Sequence, residues 1–207
     1  MDNDVYEWFN RLADRTSWLH GAAIWYADGG IVVLALLVVV ACLDARRRSD
    51  PLQLAGSIWT GVAALLALGI AQPIAAVIDR ARPYDTLTGV HVLIDRTTDS
   101  TFPSDHATVA SAVAIGLLLA HRRWGIAATV AAVLLALTRI YVGVHYPSDV
   151  LAGLCLGAAV AAIGHRLVVP RFATVLDRVA RTGAGRLVSA TTPTAALTSM
   201  TAETERV

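Results

Sequence analysis

Long apolar runs separated by short polar turns fill most of this chain, and the runs have membrane length. A spanning helix needs about 20 mostly apolar residues. The pattern predicts one over Gly21–Leu43, densest at Ile31–Cys42, and a second over Leu52–Ile78 with Pro73 inside it. A membrane helix tolerates such a proline because neighbouring groups satisfy the freed carbonyl. A third run, His106–Ala120, is short unless its polar first turn is included; the fourth is Trp124–Tyr141 and the fifth Ser148–Val169. Gly153 and Gly157 stand at a GxxxG spacing, which lets helix backbones approach closely, here inside the bundle rather than across a dimer seam.

The flanks read differently. Val5–His20 mixes Tyr6, Trp8, Phe9, Leu12, Trp18 and Leu19 with charges. It is too polar to span and predicts an interfacial amphipathic helix, or a sixth span only if it dips into the bilayer. From Arg171 the stretch RFATVLDRVAR is again amphipathic, and the Thr/Ala/Ser tail beyond it is expected to be disordered. The expectation is an all-α, polytopic membrane bundle over 1–170, with a cytoplasmic segment and tail over 171–207.

Composition agrees with the pattern. The chain is 56% hydrophobic and 16% charged, against about 45–50% and about 25% in a soluble domain. A formal charge of +1 argues against nucleic acid as a partner. Cys42 and Cys155 both fall in apolar runs and are expected to pack as buried thiols rather than to form a disulfide. The start MDNDVYEWFN has no basic region, so it does not read as a cleaved signal peptide. All 17 basic residues are arginine. Arg46–Arg48, Arg122–Arg123, Arg166 and Arg171 fall on one side of a five-span arrangement, which makes that side cytoplasmic. The segments Asp79–Asp105 and Arg139–Pro147 then face outward, and they carry arginines against that bias.

Three clusters sit at those outer ends. They are DRARP, with Arg80, Arg82 and Pro83; TFPSDHA, with Ser104, Asp105 and His106; and TRIYVGVHYPSD, with Arg139, His145 and Asp149. Arginines can each fork two N–H donors onto a phosphate. Ser104 precedes a helix whose first free amides, at Asp105 and His106, would point at the same anion. Pro147 suits the first turn of the last helix. One helical turn separates His145 from Asp149, so the carboxylate can hold the imidazole and leave its other nitrogen nucleophilic. His106 is placed to protonate a leaving oxygen, a role worth roughly 10²–10⁴ in rate. Singly, each residue has an ordinary reading: headgroup anchor, helix cap or solvated histidine. Independent anchors would not gather two histidines, an aspartate and the arginines on one side of the spans.

The clusters resemble the three-part signature of the type-2 phosphatidic acid phosphatase superfamily, which also includes vanadium haloperoxidases. That pattern is Lys-x6-Arg-Pro, Pro-Ser-Gly-His and Ser-Arg-x5-His-x3-Asp. Arg82–Pro83 matches the end of the first part, Pro103–His106 the second with Asp105 for glycine, and Arg139, His145 and Asp149 the third with Thr138 for serine. The first-part lysine would fall on Ala75, which leaves Arg80 as the candidate replacement. FPSDHA and YVGVHYPSDVLAG are similar to the bacterial undecaprenyl-diphosphatase branch.

The resemblance implies a bacterial inner-membrane enzyme that removes the terminal phosphate of a polyprenyl diphosphate carrier on the extracytoplasmic side. It implies metal-independent catalysis without a cofactor, with a polyprenyl diphosphate or other phospholipid as substrate and membrane lipids as partners. Its implied roles are His145 as nucleophile, Asp149 as its orienter and His106 as acid, with Arg82, Ser104, Arg139, Arg80 and Asp105 at the phosphate. A carboxylate roughly 4 Å from a phosphate charge would cost about 4 kcal/mol at an effective dielectric near 20. Asp105 is therefore expected to point away as a helix cap, to pair with an arginine such as Arg80, or to share a proton with a diphosphate. Pairing with Arg80 is the favoured expectation, because DRARP supplies an extra cation where the lysine is gone. The rivals are a phosphatidic acid or phosphatidylglycerol phosphate phosphatase, and a transporter or non-catalytic lipid-binding protein. A transporter should show broken helices or inverted repeats, and haloperoxidases handle small soluble substrates.

Overall fold

The computed structural model describes residues 1–181, so the tail beyond Arg181 lies outside the described residues. Its helices are α1 (Asp2–Arg15), α2 (His20–Arg47), α3 (Pro51–Ile78), the short α4 (Pro83–Thr86), α5 (Asp105–Ala120), α6 (Arg122–Tyr141) and α7 (Pro147–Ala180). A 3₁₀ turn, Ser17–Leu19, joins α1 to α2, and no strand occurs among the described residues. Four helical segments are long and apolar enough to cross a membrane, those of α2, α3, α6 and α7; α5, with 16 residues, is the shorter apolar helix.

Helix α5 lies at the centre, packed against α3, α6 and α7. Its length and composition follow from that position. Being shielded, it can be made of small residues, and Ala107, Ala110, Ala112, Ala114 and Leu117 are all buried. Gly153 and Gly157 bring α7 hard against it: a Cβ at Gly153 would lie 2.5 Å from the Ser104 carbonyl, and one at Gly157 would collide with the Thr108 carbonyl. The GxxxG pair therefore serves a contact within the bundle. The surrounding helices turn Leu36, Leu65, Ile126, Leu151 and Ile163 outward. So much exposed apolar surface is the signature of a bilayer-facing belt.

Helix α1 stops at Arg15, earlier than the pattern suggested. Thr16 leaves helical geometry, and its hydroxyl binds the Leu12 carbonyl at 2.7 Å and the Tyr141 hydroxyl at 2.7 Å. The helix then lies across the end of the bundle, with Tyr6 fully buried and donating to the Gly143 carbonyl at 3.0 Å. That carbonyl belongs to a glycine with φ +84°, a conformation that disfavours a side chain. Trp8, Trp18 and Trp25 remain exposed nearby, as aromatic anchors at a headgroup level would.

Helix α7 continues through Pro170 to Ala180, so the boundary placed at 170 falls inside one helix. Leu176, Val179 and Ala180 pack on Ala45 and Leu54, which explains why the helix does not end with the span. Cys42 is half-buried, but Cys155 is exposed on the outward face of α7, so the burial expected for it is not found.

Candidate active site

One end each of α2, α5 and α6 and the loops at Arg80–Ser104 and Val142–Tyr146 enclose a cavity of about 560 Å³. Arg82, Asp105, His106, Arg139 and His145 line it, together with Asp28, Asp95 and Asp99. The volume suits a small polar headgroup. Backbone bonds tie the three sequence clusters together here. The Ser104 amide donates to the Asp149 carbonyl at 3.1 Å, and Arg82 Nη1 donates to the Val144 carbonyl at 3.0 Å.

The two cavity arginines are almost wholly buried, 6% and 7% exposed for Arg82 and Arg139. Arg82 is fixed by Asp99: its Nε donates to the Asp99 carbonyl at 3.1 Å and its Nη2 to Oδ1 at 3.1 Å. Arg139 is much less satisfied. Its Nη1 makes a long contact to the Ala27 carbonyl at 3.4 Å, and its Nε has no partner. A buried guanidinium with an unfilled donor is costly unless an anion completes it. Ser104 caps α5 with its backbone; its buried hydroxyl also lacks a partner, although Ser104 does not line the cavity.

His145 is 3% exposed. Its Nδ1 lies 2.9 Å from the Thr101 carbonyl and 3.0 Å from Thr101 Oγ1. A carbonyl only accepts, so Nδ1 must carry the proton. Nε2 is then the atom with a free lone pair. Burial, then the positive charges of Arg139 and Arg82, hold the imidazole well below its usual titration range. A neutral, desolvated imidazole with a fixed tautomer is a competent nucleophile.

Asp149 does not touch His145 directly, contrary to the spacing argument. Its Oδ2 accepts from Thr101 Oγ1 at 2.8 Å and from the Tyr146 amide at 2.9 Å, while Oδ1 accepts from Arg80 Nη1 at 2.6 Å. Arg80 is accordingly not a cavity cation. Its other donors go to Asp2 Oδ2 at 2.8 Å and to Ser148 Oγ at 2.7 Å, and its guanidinium lies 4.1 Å from the centre of the Tyr146 ring. Arg80 is thus held by two carboxylates and does not line the cavity.

The expected Asp105–Arg80 pair does not form either. Asp105 accepts instead from Gln72 Nε2, at 3.2 and 3.3 Å to its two oxygens. Thr101, Gln72, Asp99, Asp2 and Ser148 were all missed from the sequence. Thr101 alone left a signal there, as a hydroxyl residue at the edge of the TFPSDHA cluster.

Comparison with known proteins bears on this geometry. Residues 56–173 match the family model of the PAP2 superfamily. The chain is 31% identical over 154 residues to undecaprenyl-diphosphatase BcrC of Bacillus subtilis, covering 74% of this chain and 77% of that one. It is 41% identical over 137 residues to decaprenylphosphoryl-5-phosphoribose phosphatase of Mycobacterium tuberculosis, covering 65% and 69%. The fold is similar to the crystal structure of a transmembrane PAP2-type phosphatidylglycerolphosphate phosphatase from Bacillus subtilis, with TM-score 0.60 and 21% identity over 80% of this chain and 85% of that one. A match over more than half the chain, on the segment that carries all the cavity arginines and histidines, shows that the protein belongs to the PAP2 superfamily and is a multi-pass membrane lipid phosphatase.

Proposed function

We propose that the chain hydrolyses polyprenyl diphosphate to the monophosphate and inorganic phosphate, on the extracytoplasmic face, in the recycling of a cell-wall carrier lipid. The observation that carries this reading is the incomplete solvation of Arg139 beside a neutral His145 in one cavity. An oxyanion is the ligand such a site lacks.

The chemistry balances as two displacements. His145 Nε2 attacks the terminal phosphorus and the bond from phosphorus to the bridging oxygen breaks. His106, which the anionic substrate brings into its protonated form by offsetting the charges of Arg82 and Arg139, gives its proton to the departing lipid phosphate. A water then attacks the phosphohistidine and gives its proton to His106, and the N–P bond breaks to release phosphate. Arg82 and Arg139 hold the equatorial oxygens throughout, and Ser104 can turn its free hydroxyl toward them. The phosphatase unit is read as 1–170 together with the rest of α7, which packs on the bundle up to Ala180, and the arginine-rich turns lie on the cytoplasmic side.

A second reading is a sugar-phosphate lipid as substrate. Asp28 and Asp95 line the same cavity and could accept hydrogen bonds from sugar hydroxyls, and the mycobacterial relative is named for such a substrate. A substrate panel separates the two. Purified protein should release phosphate from undecaprenyl diphosphate at the highest kcat/KM, ahead of decaprenylphosphoryl-5-phosphoribose, phosphatidylglycerol phosphate and phosphatidic acid. Preference for the ribose lipid would replace the first reading with the second.

A further inference from the structure

We infer that Thr101 is the positioning residue through which Asp149 acts on His145. The inference rests on the phosphohistidine reading and adds to it a residue and an order of contacts. Thr101 is fully buried and touches both groups, whereas among the described contacts Asp149 reaches His145 only through it.

The proton directions leave one arrangement. An ionised Asp149 can only accept, so the Thr101 hydroxyl proton goes to Oδ2 at 2.8 Å rather than to the Val144 carbonyl at 3.4 Å. Donation to Val144 would leave the lone pairs of Thr101 Oγ1 and Asp149 Oδ2 facing each other. The Thr101 oxygen is then free to accept from His145 Nδ1, sharing that proton with the Thr101 carbonyl. One residue therefore offers two acceptors to a single N–H, and one of the two is polarised by a buried carboxylate. Thr101 cannot drift, because its amide donates to the Arg80 carbonyl at 2.9 Å and Arg80 itself grips Asp149. As His145 becomes a phosphoimidazolium, positive charge develops on the ring, and the hydroxyl delivers the compensating polarisation from Asp149. Hydrogen bonds to charged groups, linked in a dry site, strengthen one another.

The test is a cycle of Thr101→Val and Asp149→Asn, measured on the lipid that the purified enzyme turns over best. Thr101→Val should lower kcat by about tenfold to a hundredfold, with KM changed less than about threefold, as expected when an interaction grows only in the transition state. Thr101→Ser, which keeps the hydroxyl, should retain activity within about threefold. In the Thr101→Val background, Asp149→Asn should cost little more, since coupled groups are non-additive. The acid limb of kcat/KM should also move to lower pH in Thr101→Val, because the imidazolium loses the influence of the carboxylate. Thr101→Ala, monitored for cooperative unfolding, covers the case in which valine disturbs folding. Full activity in both Val and Ala variants, or losses that multiply in the cycle, would overturn the inference while leaving an inactive His145→Ala consistent with the parent reading. An active His145→Ala would overturn both.

Discussion

Arg80 and Asp149 form a 2.6 Å ion pair beside the cavity, and neither residue lines it. The pair places Arg80 on the residue that contacts Thr101, beside the cavity rather than in its lining. It also connects α1 to the chemistry, because Asp2 accepts from Arg80 Nη2 and from the backbone amide and hydroxyl of Ser148 at 3.0 and 2.6 Å. The interfacial helix thus caps the start of the helix that carries Asp149. Arg80→Ala should lower kcat about tenfold and leave KM within about threefold, whereas Arg82→Ala should raise KM, because only Arg82 faces bound phosphate. Steady-state kinetics on both variants checks this. A large KM effect for Arg80→Ala would return that residue to the phosphate site.

The two histidines should fail differently. His145→Ala should leave no acid-labile phosphoenzyme on rapid quench and no turnover. His106→Ala should lose roughly 10²–10⁴ in rate but still form some phosphoenzyme, which persists because no base activates the water. Phosphoenzyme in the first variant would refute the assignment of the nucleophile.

How much of this was legible beforehand depends on the range over which each signal acts. The five apolar runs, the arginines at their ends and the spacing of Arg139, His145 and Asp149 are properties of one segment at a time, and the helices follow the runs closely. Partnerships between segments were not legible. Spacing alone suggested that Asp149 reaches the imidazole, but the Ser100–Thr101 loop enters from a different part of the chain and interposes its hydroxyl. Arg80 was assigned to phosphate because a cation was missing, yet Asp2, 78 residues away, and Asp149 claim it first. Gln72 lies mid-run beside Pro73, where nothing in the pattern marks it as the partner of Asp105.

The pH behaviour follows from His145. Burial, Arg139 and Arg82 depress its pKa well below the usual 6.5 in the folded chain, while the unfolded chain protonates at about 6.5. The unfolded state therefore binds the extra proton first as pH falls. Stability from this group is full above about pH 6.5 and declines below it. For activity, the nucleophile stays a free base through the neutral range, so the acid limb of kcat/KM belonging to His145 should lie well under 6.5. Arg139→Gln removes a neighbouring positive charge and should move that limb upward. A limb at 6.5 that ignores the substitution would belong to another group.

Topology can be tested with single cysteines in a background lacking Cys42 and Cys155. Cysteines at Ser49 and Arg123, in the arginine-rich turns, should resist an impermeant thiol reagent in intact cells. One at Thr88, an exposed position in the loop on the cavity side, should react. The opposite pattern would place the cavity in the cytoplasm and remove the proposed recycling role.

Asp105 is the least expected group in the cavity, since it shares the space with Arg82 and Arg139 and yet is an anion beside an anion site. No arginine forms an ion pair with it among the described residues; Gln72 supplies a neutral amide, at 3.2 and 3.3 Å. A carboxylate roughly 4 Å from a phosphate charge costs about 4 kcal/mol at an effective dielectric near 20, before water or a proton relieves it. Removing that charge should therefore strengthen the binding of small, highly charged anions. Asp105→Asn should lower the inhibition constants of inorganic phosphate and vanadate by about tenfold, which corresponds to only about 1.4 kcal/mol of the repulsion being felt in a wet cavity. Gln72→Leu should act in the opposite direction, because it leaves the carboxylate without its donor and free to swing toward the arginines. The effect of Gln72→Leu should vanish in the Asp105→Asn background, since its consequence runs through the carboxylate. Inhibition constants that rise in Asp105→Asn would instead make Asp105 a protonated donor to the substrate. Its loss should then fall hardest on diphosphate lipids, whose second phosphate is the group nearest in charge to share that proton.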